Sequence, residues 1–245
     1  MGSVATRTKR ERRVEQRAAV PFHAITPFTM LDFPDRVACI VWVAGCNMRC
    51  GYCHNPGIVL GQGSMGEEEI FEFLTRREGL LDGVVLSGGE ATSWRGLFDF
   101  ATKVKAMGFA LKLDTNGLRP DVVARLLEGQ LLDRIALDYK APPTKFRRVT
   151  GVKAWSRFSS TLDLLCGQNA VPFEVRTTIH SDLLDEEDVL AMASDLAGRG
   201  YRGTYAIQQA VSGEVRSTLG DLPDNKLSIN QLRLSAESQI TLRFR

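Results

Sequence analysis

Short apolar segments rich in β-branched residues alternate six times with amphipathic helical segments, and this alternation most constrains the fold. The first apolar run is almost continuous, as expected of a strand that is buried on both faces. A helical pattern follows it from Glu67 to Glu78, with acidic residues in its first turn as the helix dipole favours. The six predicted strands are Val37–Ala44, Gly83–Ser87, Phe109–Asp114, Arg134–Tyr139, Phe173–Ile179 and Thr204–Gln208.

Strands that alternate with helices are expected to run parallel, because each right-handed crossover returns the chain to the same edge of the sheet. Either an open doubly wound sheet or an incomplete barrel fits this order. Polar and glycine-rich residues fall repeatedly just after the strands, which is the active-site face of a β/α barrel. The sequence therefore predicts an α/β fold, a partial (β/α)6 TIM-type barrel with its active site at the carboxyl ends of parallel strands.

The predicted barrel domain covers residues 22–212, with one segment before it and one after it. Residues 1–21 form a basic leader with six lysine and arginine side chains and no apolar segment behind them, so it is not a secretory signal. A solvated, disordered tail is typical of such charge runs, and contact with an acidic partner is the alternative. Residues 213–245 are polar and weakly patterned, and their role is unknown.

The composition limits the domain size, the kinds of binding partner and the redox state of the compartment that are expected for this chain. At 245 residues with 44% hydrophobic content, the chain can form one full-sized domain. The net charge of +2 is too small to predict nucleic-acid or membrane binding, and no apolar run reaches the roughly 18 to 20 residues of a membrane span. Five cysteines, three of them clustered, indicate a reducing cytoplasm and a metal site, with Cys39 and Cys166 as small buried core residues.

Cys46, Cys50 and Cys53 are spaced C-x3-C-x2-C in the loop after the first predicted strand. Three thiolates on one short loop can hold three irons of a 4Fe-4S cluster and leave the fourth iron open for chemistry. A structural zinc site needs a fourth ligand, and His54 adjoins Cys53 too closely for the usual spacing. An electron-transfer cluster needs a fourth cysteine, which Cys39 on a buried strand supplies poorly. The spacing favours three metal ligands that also form the catalytic centre.

This cysteine loop, together with Gly88-Gly89-Glu90 after the next strand, resembles the radical SAM superfamily. Four further runs are similar to the glycyl-radical-enzyme activating proteins, and among these most similar to the activating proteins of anaerobic ribonucleoside-triphosphate reductase. These runs are Met30–Pro34, Tyr52–Pro56, Asp114–Gly117 and Leu137–Lys140, and the similarity covers roughly residues 24–209. The resemblance implies that the open iron binds S-adenosylmethionine and that its reductive cleavage leaves a 5′-deoxyadenosyl radical that abstracts hydrogen.

The resemblance also implies roles for the residues that follow the second strand. Gly88 and Gly89 would let the backbone approach the methionine moiety, and Glu90 would fix that loop. A plain strand-to-helix turn is the alternative for two glycines. Tyr52, between two cysteines, would cover the cluster and flank the adenine, or it simply packs.

Later strand ends would supply a polar floor around S-adenosylmethionine from Asp114, Asn116, Asp138 and Lys140. In relatives that activate pyruvate formate-lyase, aspartates at the positions of Asp114 and Asp138 line a monovalent cation site. Lys140 suits a carboxylate as a flexible point charge. The alternatives are an Asx turn after the third strand and a surface ion pair after the fourth.

Two residues of the fifth strand complete the candidate site. Arg176 and His180 would reach the carboxylate or ribose of S-adenosylmethionine, or else they form a core ion pair and a surface histidine. His54 is interpreted as a local structural partner rather than a ligand.

The resemblance therefore predicts an activase that cleaves S-adenosylmethionine and abstracts hydrogen from a glycine of a glycyl radical enzyme. The predicted partner is anaerobic (class III) ribonucleotide reductase, and a flavodoxin or ferredoxin is the usual electron donor. Three alternatives remain open: an activase of another glycyl radical enzyme such as pyruvate formate-lyase, a radical SAM enzyme acting on a small molecule, and an iron–sulfur or zinc interaction module without enzymatic activity.

Overall fold

The computed structural model describes residues 21–53, 55–210 and 240–244. His54, the predicted leader apart from Pro21, and most of the predicted tail lie outside these described residues. The domain bounds given above therefore stay a prediction.

One eight-stranded sheet forms the centre of the described structure, and its strands lie in sequence order. The strands are β1 Phe22–Thr29, β2 Ala38–Val43, β3 Gly83–Gly88, β4 Ala110–Thr115, β5 Arg134–Asp138, β6 Phe173–Ile179, β7 Thr204–Gln209 and β8 Thr241–Phe244. Strands β2 to β8 pair in parallel, whereas β1 pairs antiparallel with β2. A parallel sheet in sequence order is the arrangement of a partial β/α barrel, so the predicted fold class is confirmed.

Helices connect strands β2 to β7 in the predicted alternation. They are α1 Pro56–Leu60, α2 Glu67–Thr75, α3 Leu97–Ala106, α4 Pro120–Glu128, α5 Phe146–Thr150, α6 Trp155–Cys166 and α7 Glu186–Gly198, with a short 3-10 helix at Ala91–Ser93. Local chemistry sets their starts: Pro120 occupies the first turn of α4, and the Asp185 side chain accepts a hydrogen bond from the Asp188 N–H to cap α7. None of the described helices has the length and apolarity needed to cross a bilayer.

The strands alternate between two apolar environments. Leu111 and Leu113 of β4 belong to the large core between sheet and helices. A smaller cluster on the opposite face contains Ile40 and Val85 and is joined by Phe33 from the turn after β1. Side chains two residues apart share a strand face, so Lys112 and Asp114 lie on this second, inner face. The inner face is apolar over the first part of β2 and β3 and carries charged side chains along β4, β5 and β6.

Two strands were not predicted. Strand β1 carries Pro27 and a mixed pattern of exposed and buried residues, which an edge strand tolerates. Strand β8 lies within residues 213–245, to which the sequence assigned no role, and it extends the sheet beside β7. Cys39 is fully buried as expected, but Cys166 at the end of α6 is only partly buried, so that expectation was wrong.

Candidate active site

A cavity of about 160 Å³ opens at the carboxyl ends of the parallel strands. This volume is the space open to the centre of a water-sized sphere, and one water needs roughly 10–15 Å³ of it, so the cavity has room for on the order of ten waters. All of the predicted site residues line it except Arg176 and His180. The structure therefore brings the cysteine loop and the polar ends of β3, β4 and β5 together around one space.

Backbone contacts from distant segments hold the cysteine loop in place. The Arg49 N–H donates to the Thr150 carbonyl at 2.8 Å, and the Gly51 N–H donates to the Val149 carbonyl at 3.1 Å. The Arg49 guanidinium also donates to the Cys46 carbonyl at 2.7 Å. The two backbone contacts tie the loop to the end of α5, about a hundred residues later in the chain, and the guanidinium contact braces the loop internally.

The three thiols are suited to bind a cluster that contains several irons. Burial raises the pKa of Cys46 to about 11 and the pKa of Cys50 to about 12, so iron binding must displace their protons. The Met48 N–H donates to Cys46 Sγ at 3.4 Å, which favours the thiolate. Among the described residues, no three His, Cys, Asp or Glu side chains are arranged around a single metal ion. In a four-iron cluster each thiolate binds its own iron, so the sulfurs need not converge on one point.

Gly88 and Gly89 permit close packing between the end of β3 and the cysteine loop. Gly88 has a φ of 114°, and a Cβ there would lie 2.6 Å from the Val43 carbonyl oxygen. A Cβ at Gly89 would overlap the Gly45 carbonyl oxygen, which accepts a hydrogen bond from the Glu90 N–H at 2.8 Å. Both glycines are required by the chain's own backbone, and their predicted approach to a methionine moiety stays a prediction.

The Glu90 side chain links the loop after β3 to the end of β4 and the loop after it through hydrogen bonds. One carboxylate oxygen accepts hydrogen bonds from the Thr92 N–H and hydroxyl and from the Thr115 hydroxyl, and the other accepts from the Asn116 N–H. Glu90 is almost wholly buried, and burial raises its pKa despite these hydrogen bonds. These contacts join the two loops, and a role of Glu90 in cofactor binding stays a prediction.

Asn116 connects this loop to a cysteine. Its amide nitrogen donates to Asn47 Oδ1 at 2.7 Å and lies 3.8 Å from Cys46 Sγ. Its amide oxygen accepts from the Leu118 N–H at 3.1 Å, so the predicted Asx turn is also present.

Asp114 and Asp138 share one guanidinium. Arg176 donates from Nη1 to Asp114 Oδ2 at 3.2 Å and from Nε to Asp138 Oδ1 at 3.0 Å. Lys112 Nζ contacts Asp114 Oδ1 at 2.5 Å, and Lys140 Nζ contacts Asp138 Oδ2 at 3.1 Å. The two carboxylates and three cations make one network across β4, β5 and β6, so Arg176 belongs to the site although it does not line the cavity.

The neighbouring cations lower the pKa values of the two carboxyl groups by more than burial raises them. Burial by itself raises a carboxyl pKa, but Arg176 and Lys112 hold the pKa of Asp114 below its usual range. Arg176 and Lys140 do the same for the pKa of Asp138. Burial likewise opposes charge on Lys140, yet Asp138 leaves its pKa raised. Both carboxylates are therefore held in their charged form at neutral pH.

Tyr52 and His180 occupy different parts of the site. Tyr52 is buried in the cavity wall with the Lys140 ammonium 5.8 Å from its ring centroid, and its hydroxyl has no hydrogen-bond partner among the described residues. His180 is buried beyond the cavity, where its Nδ1 accepts from the Asp182 N–H at 3.2 Å. It is not the surface histidine of the alternative interpretation, and its contact with a cofactor stays a prediction.

Sequence reasoning missed several contributors to the site. Lys112 is fully buried on an apolar strand, and its position two residues before Asp114 was the available signal. Ser87 donates to Asp114 Oδ2 at 3.1 Å, and Gln208 donates to the Thr178 hydroxyl at 2.8 Å. Ser87, Thr178 and Gln208 line the cavity near the ends of β3, β6 and β7, as the strand-end rule would have suggested.

Comparison with known proteins defines the protein family. The sequence-family model of the radical SAM superfamily matches residues 40–193. Among solved structures, Streptococcus suis SuiB bound to S-adenosylmethionine aligns with a TM-score of 0.65 at 10% identity, over 97% of this chain and 54% of that chain. That likeness shows the fold, and the chain spans about half the length of the solved protein.

Curated relatives narrow the family. A putative glycyl-radical enzyme activating enzyme of Methanocaldococcus jannaschii is 34% identical over 195 residues, which is 76% of this chain and 78% of the relative. The pyruvate formate-lyase-activating enzyme of Clostridium pasteurianum is 32% identical over 39% of this chain and 42% of its own. A probable GTP 3′,8-cyclase of Pyrococcus horikoshii is 33% identical over 43% of this chain and 35% of its own. The chain belongs to the radical SAM superfamily and, within it, to the glycyl-radical-enzyme activating family.

Proposed function

We propose that this radical SAM enzyme activates an anaerobic (class III) ribonucleoside-triphosphate reductase by abstracting hydrogen from one of its glycines. The observation that carries the proposal is the ring of strand-end groups that faces the cysteine loop in a chain similar to an activating enzyme over 78% of that relative's length. The choice of reductase rests on the resemblance that the runs Met30–Pro34, Tyr52–Pro56, Ser87–Glu90, Asp114–Gly117 and Leu137–Lys140 carry together.

The site residues suit both cofactors that this family implies. Cys46, Cys50 and Cys53 would hold the 4Fe-4S cluster, which would bind S-adenosylmethionine at its open iron and, once reduced by the donor, supply one electron for its cleavage to a carbon radical. Lys140 offers an ammonium to the carboxylate of the methionine moiety, and Tyr52 offers an aromatic wall whose hydroxyl has no hydrogen-bond partner in the described part of the chain. Bound S-adenosylmethionine would displace water from the cavity, which would protect a reactive radical from side reactions.

A monovalent cation at Asp114 and Asp138 is a finer part of the proposal. Arg176 already bridges these carboxylates, so the cation has to share them with a guanidinium. Replacing potassium by tetramethylammonium should weaken binding of S-adenosylmethionine if the small cation takes part. Equal affinity in the two salts would remove it from the site.

A flavodoxin or ferredoxin in the cytoplasm completes the proposal as electron donor. All five cysteines are free thiols, and a cytoplasmic pool of reductants keeps thiols reduced. A reducing compartment also suits a cluster whose ligands must stay unoxidised.

Electron paramagnetic resonance tests the proposed reaction. Anaerobic incubation with a small-molecule reductant, S-adenosylmethionine and the reductase should give a glycyl-radical doublet, and a Cys50→Ala variant should give none. A doublet with pyruvate formate-lyase instead would reassign the partner. Formation of 5′-deoxyadenosine without any protein radical would favour a small-molecule substrate, an alternative supported by the partial similarity to GTP 3′,8-cyclases.

Binding of S-adenosylmethionine tests the polar floor separately from turnover. Asp138→Ala should weaken binding at least tenfold while iron content stays unchanged, because Lys140 and Arg176 lose a shared carboxylate. Asp163→Ala is the matched control, since Asp163 pairs with Arg199 on the helical layer. Equal affinities in the two variants would exclude Asp138 from the cofactor site.

A further inference from the structure

A second cleft lies between the N-terminal turns of α3 and α4, beside the 3-10 helix. Its volume is about 230 Å³. The floor is apolar and includes Trp94 and Phe98, and three arginines, Arg95, Arg119 and Arg125, stand around it. Tryptophan and arginine are enriched in the energetically important parts of protein interfaces.

The cleft is positively charged and only partly compensated. Arg119 is held by Asp121 through two hydrogen bonds of 3.1 and 2.9 Å. The Arg125 guanidinium lies 4.0 Å from the Phe98 ring centroid, and Arg95 is exposed with no ion pair among the described residues. The lining carries three positive charges against one negative charge, and the amino ends of α3 and α4 add partial positive charge.

Only a thin wall separates this cleft from the cysteine loop. Glu90 lines the cavity and Thr92, which it binds, lines the cleft. Asn116 lies 3.8 Å from Cys46 Sγ, and Arg119 follows three residues later in the cleft. A protein seated on the cleft would therefore approach the ligands of the cluster without entering the cavity.

We propose that this arginine cleft docks an acidic, low-potential electron-carrier protein that reduces the cluster. The proposal rests on the proposed function and names the surface used by its electron donor. One electron leaves the carrier, which is oxidised, and enters the cluster, which is reduced. The glycine-bearing segment of the partner has to enter the cavity itself, so a donor on the outer side of the wall can bind at the same time.

Charge reversal tests the docking surface on the cluster-loaded protein. The variant Arg95→Glu/Arg125→Glu is compared with Arg157→Glu/Arg202→Glu, which reverses two exposed arginines elsewhere on the surface. Stopped-flow absorbance measures the second-order rate constant for cluster reduction by a reduced acidic flavodoxin. At low ionic strength the cleft variant should react at least about tenfold more slowly than the control, and the gap should narrow at high salt.

Reduction by photoreduced deazaflavin, a small molecule that needs no docking, checks that the cleft variant still holds a working cluster. If charge reversal lowers iron content, Arg95→Gln/Arg125→Gln replaces it, with a smaller expected slowing. A cleft variant that reacts as fast as the control would overturn the proposal, and so would equal slowing of both variants. A glycyl radical formed with photoreduced deazaflavin keeps the activase function in either case, whereas its absence counts against that function alone.

Discussion

Glu90, buried in the loop after β3, and Asp114, largely buried near the end of the adjacent strand β4, have pKa values that move in opposite directions. Glu90 is surrounded by neutral donors from Thr92, Thr115 and Asn116, so burial dominates and raises its pKa. Asp114 contacts Lys112 and Arg176, whose charges outweigh burial. Neutral donors fix a carboxylate in place, whereas cations also keep it charged.

The two carboxylates therefore act on different properties of the site. Glu90 joins two loops of the wall, and the Asp114–Asp138 network keeps fixed charges where a charged ligand would bind. The contributions of Glu90 and of the aspartates to folding stability change in opposite directions as the pH rises. Stability from Asp114 and Asp138 is present above their ordinary pKa of about 4 and is lost as pH falls. Stability from Glu90 is present at low pH and is lost as pH rises through its raised pKa.

Removing the shared guanidinium should have the largest effect. Arg176→Met leaves Asp114 and Asp138 buried side by side with one cation fewer, so we expect a loss of about 3–5 kcal/mol in folding stability. Thermal unfolding under anaerobic conditions measures it, and Arg176→Lys should recover part of the loss. A change below about 1 kcal/mol would mean that the lysines alone neutralise the network.

Removing the second cation of Asp114 should have a smaller effect. Lys112→Met keeps the side-chain volume but deletes one charged hydrogen bond, which is worth about 1.5–3 kcal/mol. Because Arg176 still binds Asp114, the loss should stay below that of Arg176→Met. Lys105→Met, which removes a lysine paired with Asp133 outside this network, is the control, and an equal loss there would make the Lys112 effect one of any lysine–aspartate pair.

Neutralising Glu90 should have the smallest effect at neutral pH, and it should depend on pH. Glu90→Gln sets an amide N–H against the Asn116 N–H, which costs about 1–3 kcal/mol at low pH. As pH rises above about 4.3, the wild-type protein also loses stability through the buried charge, so the difference between the two proteins should shrink. Unfolding midpoints measured from pH 5 to pH 8 check this sign, and a difference that grows with pH would contradict it.

The general position of the site could be predicted from the sequence, but its contacts could not. Polar residues after apolar strands place Asp114, Asp138 and Lys140 on one face of a barrel, because parallel strands end at the same edge. Lys112 lies inside an apolar strand, where the Asp114 carboxylate offsets its charge, and Asp114 is in turn paired with Arg176 of β6. That partnership depends on the register of β4, β5 and β6, which no local pattern specifies.

Strand β1 illustrates the same limit for the fold. Its mixed pattern gives no strand signal, and it is held by antiparallel pairing with β2 rather than by its own apolar content. The glycine pair after β3 was recognised as a motif, but its contact with Gly45 depends on how the loops pack. Sequence patterns thus located the elements, and packing decided which atoms meet.

The supports of the cysteine loop have a consequence for the order of maturation in the cell. Its carbonyl at Gly45 is bound by Glu90, and its amides at Arg49 and Gly51 are bound by the end of α5. During synthesis Cys46, Cys50 and Cys53 leave the ribosome roughly a hundred residues before the end of α5, which is the last segment to support their loop. A delivery protein that brought iron and sulfide to such a short nascent chain would meet an unsupported loop. Cluster insertion therefore belongs after release of most of the barrel, and it completes a site that folding has already shaped.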